Sequence, residues 1–313
     1  MKNGKLENNM LKKFGKNFKK NLPLTIMALP AVLFLFVFNY ITLFGLVLPF
    51  KNFRYDKGFW GSEWAGFKNF EYLFTSSDAW RATRNTVLYN LVFIFVGMAV
   101  AVAIALMMFE MSKRAVKVFQ TLLLLPYFIS WVVVSYAVRA FLDMDYGLLN
   151  NFLTALGAEP IMWYNSYKYW PYIIVIVNIW KGMGYGSLVY YAALMGTNAE
   201  LYEAARVDGA NKLQQIWHVS IPAIRPMISM MLILNIGGML SSDFGLFYNV
   251  PLNSTLLYET TDVLSTFTYR SLINMGNIGM SSAASFYQSV VGFFLVLFAN
   301  WLTKKISEED SLF

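Results

Sequence analysis

Residues 22–50 read LPLTIMALPAVLFLFVFNYITLFGLVLPF, and this stretch decides the fold class. No charged side chain interrupts it. A helix needs about 20 mostly apolar residues to cross a hydrocarbon core roughly 30 Å thick. The run is long enough to cross, and a buried core helix of a soluble domain is rarely so uniformly apolar. On its N-terminal side stand Lys2, Lys5, Lys12, Lys13, Lys16, Lys19 and Lys20. A basic tail ahead of an apolar run also opens a secretory signal peptide. Here the run is too long and no convincing A-x-A site follows, so it reads as a retained first helix. The tail reads as a topology signal in contact with anionic lipid. A nucleic-acid arm fits poorly, because the chain passes straight from the lysines into lipid.

Outward from this helix, five further windows qualify. They run from about Thr86 to Phe109, Val118 to Leu142, Trp170 to Met195, Met227 to Val250, and Ser282 to Leu302. The fourth span of the resulting six holds Asn178 and Lys181, and the fifth holds Asp243. The expectation is an all-α polytopic membrane protein with six transmembrane helices. Composition agrees: 57% of the 313 residues are hydrophobic, mean hydropathy is +0.47, and only 14% are charged. A soluble domain is about a quarter charged. Aromatics at 18% suit two lipid–water interfaces.

The basic residues lie mainly on one side of six spans. Besides the tail there are Lys113, Arg114 and Lys117 in the second loop, Arg206, Lys212 and Arg225 in the fourth, and Lys304 and Lys305 at the end. The positive-inside rule makes that side cytoplasmic and puts both termini there. The first outer loop, with Lys51, Arg54, Lys57, Lys68, Arg81 and Arg84, departs from the pattern but interleaves four acids. The net charge of +7 is thus topological and implies no nucleic-acid partner. The expected organisation is a basic cytoplasmic tail over 1–21, a first helix over 22–50, an extracytoplasmic loop over 51–85, a five-helix core over 86–302 that contains a cytoplasmic loop at 196–226, and a tail over 303–313.

Chemistry is constrained as well. With no cysteine and a single histidine, His218, thiolate sites and multi-histidine zinc sites are excluded. There is no G-x-x-x-x-G-K-[ST], H-E-x-x-H or G-x-S-x-G sequence, so the chain has no P-loop of its own and no recognisable catalytic motif.

The most patterned polar segment is AELYEAARVDGANKLQQIWHVSIPAIRP, residues 199–226. Glu200 to Val207 favours a helix. Asp208-Gly209-Ala210 favours a turn, because Gly tolerates positive φ. A second helix is expected from about Lys212 to Val219, with Leu213, Ile216 and Trp217 on one face. Pro222 and Pro226 are expected to break the pattern ahead of the fifth span. Such a hairpin either seats in a groove of another protein, with Ala204 and Ala205 allowing close backbone approach, or packs on its own bundle.

EAARVDGA at 203–210, followed by Ile221-Pro222, resembles the EAA loop of binding-protein-dependent ABC importer permeases. Glu203, Ala204, Ala205, Asp208, Gly209 and Ala210 keep the motif, while Trp217 and Ile221 stand where many relatives have Phe and Leu. The resemblance runs from about Leu22 to the C-terminus. In NIGGMLSSDFGLFYN and ETTDVLSTFTYR it is similar to the carbohydrate branch, in particular its polysaccharide-type first permease and the larger maltose permease subunit. It implies the ABC type I importer permease fold, with a cytoplasmic EAA coupling hairpin in which Glu203, Ala204, Ala205, Asp208, Gly209, Ala210, Trp217 and Pro222 dock on or hinge against an ATPase. It implies as partners a second, non-identical permease, two ATPase subunits that hold ATP and Mg, and an extracytoplasmic solute-binding lipoprotein. No cofactor is expected in this chain.

For an oligosaccharide substrate, the helices flanking the loop are the expected contacts. Trp180 and Tyr185 are candidates for stacking on sugar rings, with Lys181 donating to hydroxyls and Gly182 allowing close approach. In the fifth helix, Asn235, Ser241, Ser242 and Asp243 are the polar positions. Asp243 is open to three roles: pairing with Lys181, contacting sugar, or sitting at the outer mouth. Gly237 and Gly238 fit either a widened passage or tight packing. The alternatives are a permease for a non-sugar solute, or a polytopic membrane enzyme built on the outer carboxylates Asp143, Asp145, Glu159, Glu259 and Asp262.

Overall fold

The computed structural model describes residues 21–306, so the lysine-rich tail and the last seven residues lie outside it. Among the described residues the chain is helical apart from one two-residue antiparallel pair, β1 (Lys51–Asn52) with β2 (Glu63–Trp64). The first span, α1 (Leu22–Phe50), passes from α-helix through one π turn into a 3₁₀ stretch. Its inner part buries no residue, and its outer part rests on the last span. The helix α2 (Lys68–Thr75) packs against the first, second and last spans.

The second span, α3 (Ser77–Phe109), begins nine residues outside the apolar window. Ser76 accepts the Ala79 N–H and caps the start, with Asp78 in the first turn where the helix dipole favours an acid. The fourth span, α7 (Trp170–Met195), packs along α3. Ala101 and Ala105 of α3 meet Tyr190 and Leu194 of α7, and Ile224 completes this inner core. At the outer end Tyr89, Trp170, Ile174, Leu246, Phe247 and Leu257 form a second core. The last span is α12 (Ile278–Ile306).

Two spans differ from expectation. The third is not one helix but two, α4 (Lys113–Phe128) and α5 (Trp131–Leu142), bent by 96° at Ile129–Ser130. Both linking residues are extended, and Ser130 Oγ accepts the Val133 N–H and so caps a new helix. Hence, among the described residues, five helices are long and apolar enough to cross a membrane, or six with the bent pair counted as one.

The fifth span, α9 (Lys212–Gly237), is continuous through a π turn at Ile216–Ser220. Pro222 falls in the first turn of its α-helical part, where a proline is tolerated, and Pro226 is carried within it. The expected proline break is absent. The helix instead ends at Gly237, so Ser241, Ser242 and Asp243 belong to the segment beyond it. Asp243 caps a short separate helix, α10 (Phe244–Asn249). The outer segment then continues to α11 (Leu264–Ile273).

Candidate functional site

Two regions stand out, a groove between spans and a hairpin at the opposite end of α7 and α9. The hairpin is α8 (Ala199–Val207), a turn, and the start of α9. Asn198 accepts the Glu200 N–H at the N-terminus of α8. At its C-terminus Gly209 N–H donates to Arg206 O at 3.1 Å and Ala210 N–H to Ala205 O at 2.9 Å. This pair of hydrogen bonds is a Schellman closure, and it needs the left-handed backbone that Gly209 adopts, with φ +77°. Asn211 and Gln214 form a reciprocal capping box that starts α9 at once. Gln215 Nε2 donates to Ala210 O, fixing the corner from inside.

Tyr202 ties the hairpin to the bundle. Its ring packs on Phe109 at the end of α3, and its hydroxyl meets Ser220 Oγ at 3.0 Å. Lys212 pairs with Glu110. The other face is bare: Leu201, Val207, Leu213 and Trp217 are 52%, 87%, 65% and 62% exposed. Glu203, Ala204, Asp208 and Pro222 are exposed beside them, and Ala205 and Ala210 are half-buried. His218 is exposed, its Nδ1 3.0 Å from Gln214 O.

The groove has a volume of about 440 Å³ and lies among α3, α7 and α9. Its polar lining consists of Asn90, Asn178, Asn235, Ser241, Tyr185 and Tyr190, and no charged side chain lines it. Gly182 and Gly186 open the α7 wall and Gly238 the far end. Gly237 serves packing instead, since a Cβ there would lie 2.2 Å from Val296.

The structure therefore divides the expected contact residues. Gly182, Tyr185 and Asn235 line this groove; Trp180, Lys181, Ser242 and Asp243 do not. Trp180 lines an apolar cleft with Val134, Phe141 and Ile176. Five residues apart on a helix, Trp180 and Tyr185 point about 140° away from each other. The Tyr185 ring stacks on Tyr127 at 4.8 Å. Lys181 is buried and donates to the carbonyls of Pro126 and Tyr127. Ser242 is buried with no hydrogen-bond partner for its hydroxyl. Asn90 was not among the expected contacts. Its signal was an amide inside an apolar stretch, which required knowing that α3 and α7 are paired.

Three of the five carboxylates weighed for an enzyme, Asp143, Glu259 and Asp262, are engaged in structural contacts. Asp262 is enclosed and chelated by Arg270 at 2.8 and 2.6 Å, with Arg81 at 3.5 Å. Glu259 pairs with Arg84. The backbone N–H groups of Tyr146 and Asp145 hold the Asp143 carboxyl below the usual carboxylate range. No group of three His, Asp or Glu among the described residues is arranged to hold a metal ion.

The chain's relatives agree with a bundle that carries a hairpin. The pattern of the family described as binding-protein-dependent transport system inner membrane component matches residues 94–308. Protein LplB of Bacillus subtilis (strain 168) is 32% identical over 93% of this chain and 91% of its own. The polygalacturonan/rhamnogalacturonan transport system permease protein YteP of the same organism is 33% identical over 91% and 89%. The crystal structure of a bacterial ABC transporter involved in the import of the acidic polysaccharide alginate contains a chain that is 33% identical. It superposes with a TM-score of 0.85 over 94% of this chain and 99% of that one. With bundle, groove and hairpin described and these matches beside them, the chain belongs to the family of binding-protein-dependent transport system inner membrane components: it is a multi-pass membrane protein and a permease subunit of an ABC importer.

Proposed function

We propose that this permease carries an oligosaccharide across a bacterial cytoplasmic membrane, with both termini in the cytoplasm. In this reading a second, non-identical permease completes the path, and an extracytoplasmic solute-binding lipoprotein delivers the sugar. Two ATPase subunits hold ATP and Mg, and one of them grips the hairpin of this chain. The domain limits expected from the sequence, with a coupling loop at 196–226, belong to the same proposal.

The observation that carries it is the bare face of the hairpin. Leu201, Val207, Leu213 and Trp217 stand exposed on a corner locked by paired caps. A rigid helical corner with apolar anchors suits a groove in a partner. Because α7 leads into the hairpin and α9 leads out of it, moving the corner moves two walls of the groove. Nucleotide shifts the inward–outward equilibrium only by its unequal affinity for the two states, expressed through that grip. Asn178, Asn235, Ser241 and Tyr185 offer uncharged hydrogen-bonding and ring surfaces, which suit sugar hydroxyls and pyranose faces. The named polysaccharide systems among the relatives support a glycan cargo.

The test is uptake into proteoliposomes that hold this chain with its second permease, ATPase and binding protein. ATP-dependent uptake of a labelled oligosaccharide is expected, with no uptake of a labelled peptide or inorganic phosphate. ATP-driven uptake of peptide or phosphate but not sugar would replace the sugar reading with the non-sugar one.

A further inference from the structure

The buried charge of Lys181 lies where three spans meet. Helix α4 stops at Phe128, so its last carbonyls lack the usual helical partners four residues on, although Pro126 O accepts the Ile129 N–H at 3.2 Å. Lys181 Nζ donates to two of them, Pro126 O at 3.1 Å and Tyr127 O at 2.7 Å. A cation at a helix C-terminus also meets the negative end of the dipole. The same ammonium lies 5.1 Å from the ring centroid of Trp131, the first residue of α5. The Trp131 indole N–H donates to Asp243 Oδ2 at 2.7 Å, while Asp243 Oδ1 accepts the Leu246 N–H and caps α10.

Packing closes the arrangement. A Cβ on Gly245 would lie 2.3 Å from the Trp131 ring, and one on Gly184 would lie 1.9 Å from Leu123 O. Thus α7 lies backbone to backbone against α4, and α10 lies against the first residue of α5. The ends of two interrupted spans meet here, and α7, which is not interrupted, supplies the lysine. From Lys181, α7 runs about 21 Å to its end at Met195, at 1.5 Å per residue, and the hairpin follows.

We propose that Lys181, Trp131 and Asp243 form a joint that transmits hairpin movement to α5 and α10, with Lys181 a positioning residue and not a sugar contact. This rests on the coupling role proposed for the hairpin. The geometry carries it: two of the three Lys181 donors are committed to carbonyls, and the side chain does not line the groove. A lysine within a span is costly to place in lipid and persists where it serves a function.

The experiment uses the assembled complex in proteoliposomes and compares wild type with Lys181→Met and Trp131→Phe. Two readouts are followed, transport kinetics and ATP-dependent hydrogen exchange of the 126–133 backbone. Lys181→Met is expected to lower the maximal uptake rate at least tenfold, to leave the KM for the loaded binding protein within twofold, and to abolish the ATP-dependent change in exchange. Trp131→Phe, which keeps a ring but loses the N–H, is expected to give a smaller effect of the same kind; it stands in if the methionine variant fails to assemble. A raised KM at unchanged maximal rate would make Lys181 a solute contact and overturn the joint. Wild-type rates and exchange in both variants would overturn it too. Because the exchange readout needs only nucleotide, it separates failure of the joint from failure of the sugar assignment.

Discussion

Gly209 carries more of the account than any other single residue. Its positive φ lets the Arg206 and Ala205 carbonyls be satisfied while α9 starts three residues later, at Lys212. A side chain in that conformation costs about 1–2 kcal/mol. Gly209→Val is therefore expected to loosen the corner without affecting membrane insertion. Pull-down of the ATPase from detergent should fall about tenfold while the permease is recovered at normal levels. Asp262 makes the opposite kind of demand. It is a fully enclosed carboxylate held by Arg270. Asp262→Ala leaves that guanidinium largely buried without its partner, a loss of about 3–5 kcal/mol, and should lower the melting temperature of the purified complex by several degrees. The turn of the hairpin was legible because its chemistry is local: an acid, two alanines and an Asp-Gly pair fall within eight positions. The groove residues were only partly legible. Which of Trp180, Lys181, Gly182 and Tyr185 shares a face with Asn235 depends on how α7 is rotated against α3 and α9, and hydropathy does not encode that rotation.

At the scale of elements, apolar length revealed the first, second, fourth and sixth spans directly. The interruptions in the third and fifth escaped for one physical reason. A window long enough to detect a span averages over a single polar residue, and the deciding residues here are single caps, Ser130 and Asp243. Pro126, three positions before the bend, was a further signal. The prolines at 222 and 226 misled because a break was expected of them, whereas α9 accommodates one in a first turn and the other inside the helix. Ser130→Ala removes the Val133 cap, costing about 1 kcal/mol. Faster hydrogen exchange over 130–134 should report it, with the α4 amides unchanged. The turn between α5 and α6 (Leu148–Ala155) has a pH dependence of known sign. Backbone donors hold the Asp143 carboxyl low, so its contribution is present above the unfolded-state value and is lost as pH falls through the depressed folded value. Protection of the 143–150 amides, with intrinsic exchange rates divided out, should be greater above the ordinary carboxylate range than well below it, and Asp143→Ala should remove most of that difference.

For the whole molecule, the proposed function requires two bare surfaces, the flank of α1 and the hairpin, to be treated differently. The flank of α1 is apolar and bare, as suits a helix against lipid or a neighbouring permease. The hairpin face is also bare, yet it joins α7 and α9, which line the groove. The account's central claim is that an ATPase grips this hairpin and drives transport through it. The chain has no native cysteine, so one introduced at Ala204 is a clean probe. In membranes containing the full complex, Ala204→Cys should cross-link to the ATPase through a short bifunctional reagent, and the cross-linked complex should lose uptake, whereas cysteine at Lys57 on the first outer loop should do neither. Unimpaired ATP-driven uptake by a complex fully cross-linked there, or uptake with no cross-link formed at any nucleotide state, would contradict the account.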